Sequence, residues 1–280
     1  MNKLFSLFFT LLLLISTPLK ADIVVLVHGY LGSPDSWDRS GITSQLQTAG
    51  WQRAGIVFDT PAGSMMTLHY TSSVDRPIYS LSLPSRAPAM VQSDILQRMI
   101  SDLEKRHPGE NITLIAHSAG GVMARLKLVR FGAGQVNKLI TIASPHLGTH
   151  TAVRALNETH ESGPVGFLKG FFGGDLYHTV KSSTPLLVDL VPARPGNLLF
   201  WLNSQEHPAI EYVSVVRGVN QYKNGDRIIP GFSQDMNNVP ALRGKSQVYF
   251  LPTGHMLNPH DGEILSLLLE NNSQTGKYTD

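Results

Sequence analysis

The sequence predicts an α/β fold in which helices cover both faces of a mostly parallel sheet. Short apolar, β-branched runs at 22–27, 112–116 and 138–143 are typical of strands that are buried on both faces. Stretches with helical apolar spacing at 89–107 and 122–131 separate such runs. Because parallel strands need a long crossover connection, usually a helix, this alternation indicates a parallel sheet.

The N-terminal part of the chain adds a helix, a hairpin and a further strand. Residues 36–50 carry apolar side chains on one side and end in glycine, which predicts a single helix. The stretches 55–58 and 65–70 are joined by a Pro–Gly turn and predict two short strands. Residues 78–83 alternate before a proline and predict the next strand of the sheet.

The C-terminal part completes the predicted sheet. Residues 212–216 and 247–251 are β-branched or aromatic runs and predict two more strands. Residues 262–269 predict the closing helix, and the polar tail at 271–280 is expected to fray.

The N-terminal residues and the net charge limit the possible classes of protein. Residues 1–21 have a lysine, an apolar run and a small-residue cleavage site, which predicts a secretory signal peptide; an uncleaved anchor is the alternative. Cleavage removes two lysines from the 23 basic residues and leaves 21 against 21 acidic residues. That balance argues against a nucleic-acid partner. We therefore expect an extracytoplasmic protein, periplasmic or secreted, with residues 22–280 as one domain.

The motif around Ser118 is the centre of the predicted chemistry. The sequence Ala-His-Ser-Ala-Gly-Gly follows a buried strand and precedes a helix, which is the context of a nucleophile elbow. Such a turn admits only small residues two places either side of the serine, and these places hold Ala116 and Gly120. Ser118 is therefore a candidate nucleophile. The alternative is a serine that only caps the following helix.

Two backbone N–H groups are candidates for stabilising an oxyanion. The sequence His28-Gly29-Tyr30 follows the first strand, where the backbone turn permitted by glycine can direct the Tyr30 N–H toward a substrate. The second candidate donor is the N–H of Ala119, directly after the nucleophile. We interpret His28 as a packing and loop-shaping residue rather than a catalytic base.

A serine needs a base, and the base needs an orienting acid, on loops after later strands. Asp226 and His255 occupy such positions and are the predicted acid and base. Asp235 and Asp189 remain alternatives for the acid, and His260 remains an alternative for the base. The other isolated histidines, His207 among them, are expected at the surface.

The segment 151–201 interrupts the strand–helix rhythm and is predicted to be an insertion with helices at 186–190 and 198–202. It contains Phe167 and Phe171 between glycines, which favours an apolar cover that lines the substrate site. An ordinary helical insertion packed on the core is the equal alternative.

Five segments together resemble a known family: 28–29, 116–121, 143–149, 226–230 and 254–255. They are similar to the bacterial secreted lipase/esterase branch of the α/β-hydrolase superfamily. The resemblance implies an α/β-hydrolase fold with a lid-like insertion and hydrolysis of carboxylic esters through an acyl-enzyme.

The resemblance also bears on partners and cofactors. It implies an ester or lipid substrate, transient contact with a lipid–water interface, and no cofactor. Some relatives hold a structural calcium ion, but the carboxylates here are too few to favour a metal site. A thioesterase, an acyltransferase, a peptidase and a non-catalytic hydrolase-like binding protein remain alternatives.

Overall fold

The computed structural model describes residues 22–61, 63–68, 74–160, 176–221 and 223–270. The predicted signal peptide therefore lies outside the described residues. So does the centre of the predicted cover, including Phe167 and Phe171, and the expectations for both stay predictions.

Within the described residues nine strands form one sheet, of which eight match strands predicted from the sequence and the two-residue β8 was not predicted. They are β1 (Ile23–Val27), β2 (Gln52–Thr60), β3 (Gly63–Leu68), β4 (Pro77–Ser82), β5 (Ile112–His117), β6 (Val136–Ile142), β7 (Glu211–Asn220), β8 (Lys223–Asn224) and β9 (Ser246–Leu251). Their order is β3-β2-β4-β1-β5-β6-β7-β8, and β9 pairs with β7. Among the strand pairs of the described residues, only β2–β3 and β7–β8 are antiparallel, which confirms the mostly parallel prediction.

Helices occupy most of the connections between strands. They are α1 (Ser36–Arg39), α2 (Ile42–Thr48), α3 (Ala89–Arg106), α4 (Ala119–Phe131), α5 (His150–His160), α6 (Leu176–Ser182), α7 (Thr184–Asp189), α8 (Leu198–Ser204), α9 (Gly231–Gln234) and α10 (Pro259–Glu270). Two 3-10 turns, Met236–Asn238 and Pro240–Leu242, precede β9.

Both faces of the sheet are buried, and the central strand β1 shows how. Its residues are alternately part of two apolar cores: Val25 and Val27 pack with α3 and α4, whereas Val24 and Leu26 pack with α1, α2 and α10. Every residue of β1 is fully buried. The continuous apolar run therefore has the predicted cause, which is a strand with no solvent-facing side.

The prediction of a single helix over 36–50 was wrong. Gly41 has a φ of 82° and separates α1 from α2. A Cβ at this position would also lie 3.3 Å from Pro259 at the start of α10. Glycine is suited to this left-handed break because it has no Cβ to clash with its own backbone.

A buried polar cluster between α4 and the β6–α5 loop corrects another expectation. Arg125 is fully buried, and its guanidinium donates to His207 Nε2 at 3.0 Å and to Asn203 Oδ1 at 2.9 Å. His146 Nδ1 lies 3.4 Å from the same guanidinium. His207 is thus buried rather than at the surface as predicted. The error arose because its partner is 82 residues away in the chain.

The histidines of this cluster predict acid sensitivity. Burial, followed by the charge of Arg125, lowers the pKa of His207 to about 4 and the pKa of His146 well below its usual value. The unfolded chain then binds more protons than the folded chain as the pH falls below about 6.5, so stability should be lost through that range. We expect the free energy of unfolding in urea to fall from pH 7 to pH 5.

A matched variant tests this assignment. In His207→Gln, the amide can still accept from Arg125 and donate to Gln205, but it cannot titrate. Its loss of stability between the two pH values should be smaller than that of the wild type. An equal loss would show that His207 does not contribute.

None of the described helices is both long and apolar enough to cross a membrane.

Candidate active site

Ser118 stands at the junction of β5 and α4 in a backbone conformation that is rare for serine. Its φ is 53° and its ψ is −129°. Two glycines make room for this turn: a Cβ on Gly29 would lie 2.8 Å from Ser118 Cβ, and one on Gly120 would lie 2.6 Å from the His28 carbonyl oxygen. Such backbone strain, of order 1–3 kcal/mol, tends to be retained at functional sites. The predicted strand–turn–helix context of Ser118 is present.

The structure brings Ser118, His255 and Asp226 together in one hydrogen-bonded chain. His255 Nε2 lies 3.0 Å from Ser118 Oγ, and His255 Nδ1 lies 2.9 Å from Asp226 Oδ2. Because a carboxylate only accepts, Nδ1 carries the proton and Nε2 is left as the acceptor for the serine hydroxyl. His255 follows the carboxyl end of β9, and Asp226 follows the β7–β8 hairpin.

The surroundings of Asp226 favour its ionised form. Burial opposes ionisation, but the hydrogen bond from His255 and those from the N–H groups of Ile228 and Ile229 outweigh it, so the pKa lies below the usual aspartate value. The two N–H groups donate to Oδ1 at 2.7 and 2.8 Å. Oδ2 is thereby left for His255 and for Gln234 Nε2, which donates at 3.0 Å.

The alternative acids and base have other partners. Asp235 accepts from the Asn237 N–H at 2.8 Å and caps a 3-10 turn. Asp189 accepts from the Ala89 N–H at the start of α3. His260 is exposed on α10, where its Nδ1 lies 3.1 Å from Glu263.

The two predicted oxyanion donors lie beside the serine. Tyr30 and Ala119 line the same cavity as Ser118. Within the described residues, no acceptor takes the Ala119 N–H. His28 shapes the Tyr30 loop as predicted: its Nδ1 donates to the Gly29 carbonyl, and its Nε2 accepts from the Leu83 N–H at 3.1 Å. Burial lowers the pKa of His28, which suits this neutral tautomer.

The cavity in front of Ser118 has a volume of about 290 Å³. One side is lined by apolar side chains of α5, α7 and the acid loop, namely Ala152, Ala155, Leu187, Leu190, Ile228 and Ile229. The opposite side carries Ser36, Arg39 and Ser40 of the α1 segment, which packs with the core on the other face of the sheet, and Leu257 of the His255 loop. The site can thus hold an apolar group on one side of the serine and a polar group on the other.

A family model matches residues 19–159, and it describes the PGAP1-like alpha/beta domain. The chain belongs to this family. Its PGAP1-like domain is a member of the α/β-hydrolase superfamily, as the sequence motifs indicated. The matched residues include Ser118 and end before Asp226 and His255, so the family match does not extend to the acid and the base.

The PGAP1-like fold is shared by solved structures of low sequence identity. A gene product of Listeria innocua is 15% identical, with a TM-score of 0.59 over 93% of this chain and 96% of that one. A mature lipase of Bacillus licheniformis is 14% identical, with a TM-score of 0.54 over 89% and 92% of the chains. A lipase-esterase related protein of Clostridium acetobutylicum is 15% identical, with a TM-score of 0.52 over 89% and 93%. At these identities the likeness shows the fold. No curated protein matches the chain by sequence.

Gln234 is a site residue of this PGAP1-like protein that sequence reasoning missed. Besides Asp226, its amide contacts two backbone groups: Nε2 donates to the Ile229 carbonyl at 2.8 Å, and Oε1 accepts from the Arg217 N–H. These contacts fix which end of the amide faces the aspartate. Gln234, at the end of the short helix α9, carries no local signal in the sequence, because its partners are set only by the folded chain.

The sequence also gave no indication that His117 and the two threonines that follow β6 position the catalytic loops. His117 Nε2 donates to the His255 carbonyl oxygen at 3.0 Å and so holds the loop that carries the base. Thr149 and Thr151 both donate their hydroxyls to the Ile228 carbonyl oxygen and so hold the acid loop. The Ser-Pro-His-Leu-Gly-Thr segment thereby contributes to the site through positioning.

A fully buried ion pair lies behind the His255 loop. Arg217 on β7 donates to both carboxylate oxygens of Asp261, at 2.5 and 2.9 Å. The same guanidinium donates to Thr253 Oγ1 at 2.9 Å and to the Met256 carbonyl oxygen at 3.4 Å. Thr253 and Met256 flank His255, so this pair fastens the loop from both sides.

Breaking this pair should destabilise the protein more than replacing both partners. Removing one partner of a buried ion pair leaves an uncompensated charge and costs about 3–5 kcal/mol, whereas an apolar replacement of both is often neutral. We expect Asp261→Leu to lower the free energy of unfolding in urea by that amount. The double variant Arg217→Met/Asp261→Leu should recover at least half of the loss, and equal losses in the two variants would contradict this account.

Proposed function

We propose that this protein is a serine hydrolase that cleaves carboxylic esters, with an apolar acyl group, through an acyl-enzyme on Ser118. The observation that supports this most directly is the hydrogen-bonded chain from Ser118 through His255 to Asp226, open to the cavity. A serine hydroxyl is a weak nucleophile unless a neutral base accepts its proton, and His255 Nε2 is directed at that proton.

In the first half of the reaction, Ser118 Oγ attacks the carbonyl carbon while His255 Nε2 takes the hydroxyl proton. The ionised Asp226 stabilises the imidazolium that forms. The carbonyl oxygen becomes negatively charged and accepts hydrogen bonds from the N–H groups of Tyr30 and Ala119. Collapse of this intermediate expels the alcohol, which takes the proton from His255 and leaves the acyl group on Ser118.

In the second half, a water molecule gives its proton to His255 and attacks the acyl carbon. The same two N–H groups stabilise the second oxyanion, and collapse releases the carboxylic acid while the proton returns to Ser118 Oγ. The reaction therefore consumes one ester and one water, and it yields one acid and one alcohol.

The walls of the cavity suggest the kind of acyl group. The apolar side formed by α5, α7 and the acid loop offers contact surface to a hydrocarbon chain, which gains about 0.8 kcal/mol for each CH₂ that is buried. A lipase or carboxylesterase activity fits this side better than a peptidase activity. We also propose that the protein acts outside the cytoplasm as one domain, on the strength of the predicted signal peptide at 1–21.

A substrate panel tests the proposal. Rates are measured for p-nitrophenyl esters of increasing acyl length, for emulsified triglycerides, and for thioesters and peptides of matched acyl groups. The proposal expects ester hydrolysis whose kcat/KM rises with acyl length until the apolar side is filled. Preference for the thioester would instead indicate a thioesterase, and the absence of turnover on every substrate would overturn the proposal.

A further inference from the structure

Among the described residues that line the cavity in front of Ser118, Arg39 carries the one permanently charged side chain. It is the last residue of α1, which packs with the apolar core on the sheet face opposite to that of α5 and α7. An arginine that supports the fold usually pairs with a carboxylate or packs into the core. Arg39 does neither, since it is exposed and its guanidinium donates only to Ser33 Oγ, at 3.4 Å, within the part of the chain that the structure describes.

The neighbouring aspartate is committed elsewhere. Asp38 Oδ2 pairs with Arg53 at 2.5 Å, and its Oδ1 accepts from the Thr43 hydroxyl at 2.5 Å. Both carboxylate oxygens of Asp38 thus have other partners, and among the ion pairs of the described residues none includes Arg39. The charge of Arg39 is left available to a ligand.

Ser36 adds a second polar group on the same side. Its Oγ accepts from the Ser33 N–H at 3.0 Å, and within the described residues no acceptor takes its hydroxyl proton. Ser36 and Arg39 both belong to α1 and both line the cavity. A guanidinium with a nearby hydroxyl donor suits an oxyanion, since arginine presents paired N–H groups that match phosphate and carboxylate oxygens.

An ester has two arms that diverge from the reacting carbonyl, and the cavity has two unlike sides. If the acyl arm lies on the apolar side, the alcohol arm extends toward α1. We propose that Arg39 binds an anionic group on the alcohol arm, so that the preferred substrates are acyl esters of alcohols that carry a phosphate or a carboxylate. This inference rests on the proposed ester hydrolysis and deepens it.

The test compares three esters with the same hexanoyl group: those of glycerol, glycerol 3-phosphate and glyceric acid. They are neutral, phosphorylated and carboxylated, so the two anionic arms distinguish the two sources of negative charge. The wild type should show a higher kcat/KM for at least one anionic ester than for the neutral one. In Arg39→Gln, the ratio of anionic to neutral kcat/KM should fall by about 10-fold, mainly through KM, as expected for loss of a hydrogen bond between charged groups.

Three further measurements distinguish direct binding by Arg39 from a general electrostatic effect of the protein's charge. Arg39→Lys keeps the charge but not the paired donors, so its ratio should lie between those of the wild type and Arg39→Gln. Arg243→Gln removes another exposed arginine that does not line the cavity, and its ratio should equal that of the wild type. Added salt should reduce the wild-type preference and leave Arg39→Gln unaffected.

Two results would overturn the inference alone. One is equal hydrolysis of all three esters by the wild type, and the other is a preference for anionic esters that survives Arg39→Gln. Hydrolysis of none of the three esters also overturns the inference, and the proposed function fails with it only if the folded wild type turns over no substrate of the panel described above.

Discussion

Ser118→Ala should abolish ester hydrolysis, with a loss in kcat of about 10⁶-fold by analogy with serine proteases that lose their nucleophile. The alanine cannot form the acyl-enzyme, and His255 then has no hydroxyl proton to accept. The fold should persist because the substitution removes one oxygen atom and leaves the turn at 118 with a small side chain. The measurement is single-turnover and steady-state hydrolysis of a p-nitrophenyl ester.

A covalent label makes the assignment independent of turnover. A fluorophosphonate should add one equivalent to the wild type at Ser118, as located by peptide mass, and should not add to Ser118→Ala. Ser266→Ala is the matched control, since Ser266 lies on α10, away from the cavity, and donates only within its helix. Retention of more than a tenth of the activity in Ser118→Ala, or labelling of another serine, would contradict the role of Ser118.

Much of the fold was predictable because its signals are local. The central strands β1 and β5 are buried on both faces, so each appears in the sequence as a largely apolar run. The elbow is local as well, because a single strained residue requires small neighbours at 116 and 120. The β2–β3 hairpin was also predictable, since its turn is marked by proline and glycine.

The break at Gly41 shows the limit of such local signals. Apolar spacing continues across α1 and α2, and only the approach of Pro259 from the distant α10 accompanies the break. Sequence periodicity reports which side of a segment is apolar. It does not report the contacts that divide the segment in two.

The parts of the site that escaped prediction all depend on long-range partners. Arg217 and Asp261 are 44 positions apart, and Gln234 reads as an ordinary loop residue until β7 and the acid loop are packed together. The place of Asp226 after a predicted strand favours it as the acid over Asp235 and Asp189. What the structure adds is the set of donors that holds its carboxylate, and these donors determine what an amide would do there.

The donors around the Asp226 carboxylate predict how an asparagine at this position would orient its side-chain amide. Both carboxylate oxygens of Asp226 accept hydrogen bonds: Oδ1 from the N–H groups of Ile228 and Ile229, and Oδ2 from His255 and Gln234. An asparagine has only one oxygen. Because two backbone N–H groups cannot reorient, that oxygen should take the Oδ1 position, and the NH₂ group should face His255.

This orientation would place the imidazole in the wrong tautomer. An NH₂ group donates to Nδ1, so the ring proton moves to Nε2, which can no longer accept the proton of Ser118. Gln234 cannot easily relieve the clash by turning its amide, since Oε1 accepts from the Arg217 N–H and Nε2 donates to the Ile229 carbonyl. We therefore expect kcat to fall by about 10⁴-fold, as when the triad aspartate of a serine protease becomes asparagine.

Two matched variants and one spectroscopic readout test this result. An asparagine at 235 can still cap the 3-10 turn, and an asparagine at 189 can still accept from the Ala89 N–H. Asp235→Asn and Asp189→Asn should therefore keep kcat within about threefold, as is usual for changes outside a catalytic group. Nitrogen-15 shifts of His255 should report a proton on Nδ1 in the wild type and on Nε2 in Asp226→Asn. If Asp235→Asn is the inactive variant, or if Asp226→Asn loses activity with its tautomer unchanged, then Asp226 does not orient His255 as the geometry indicates.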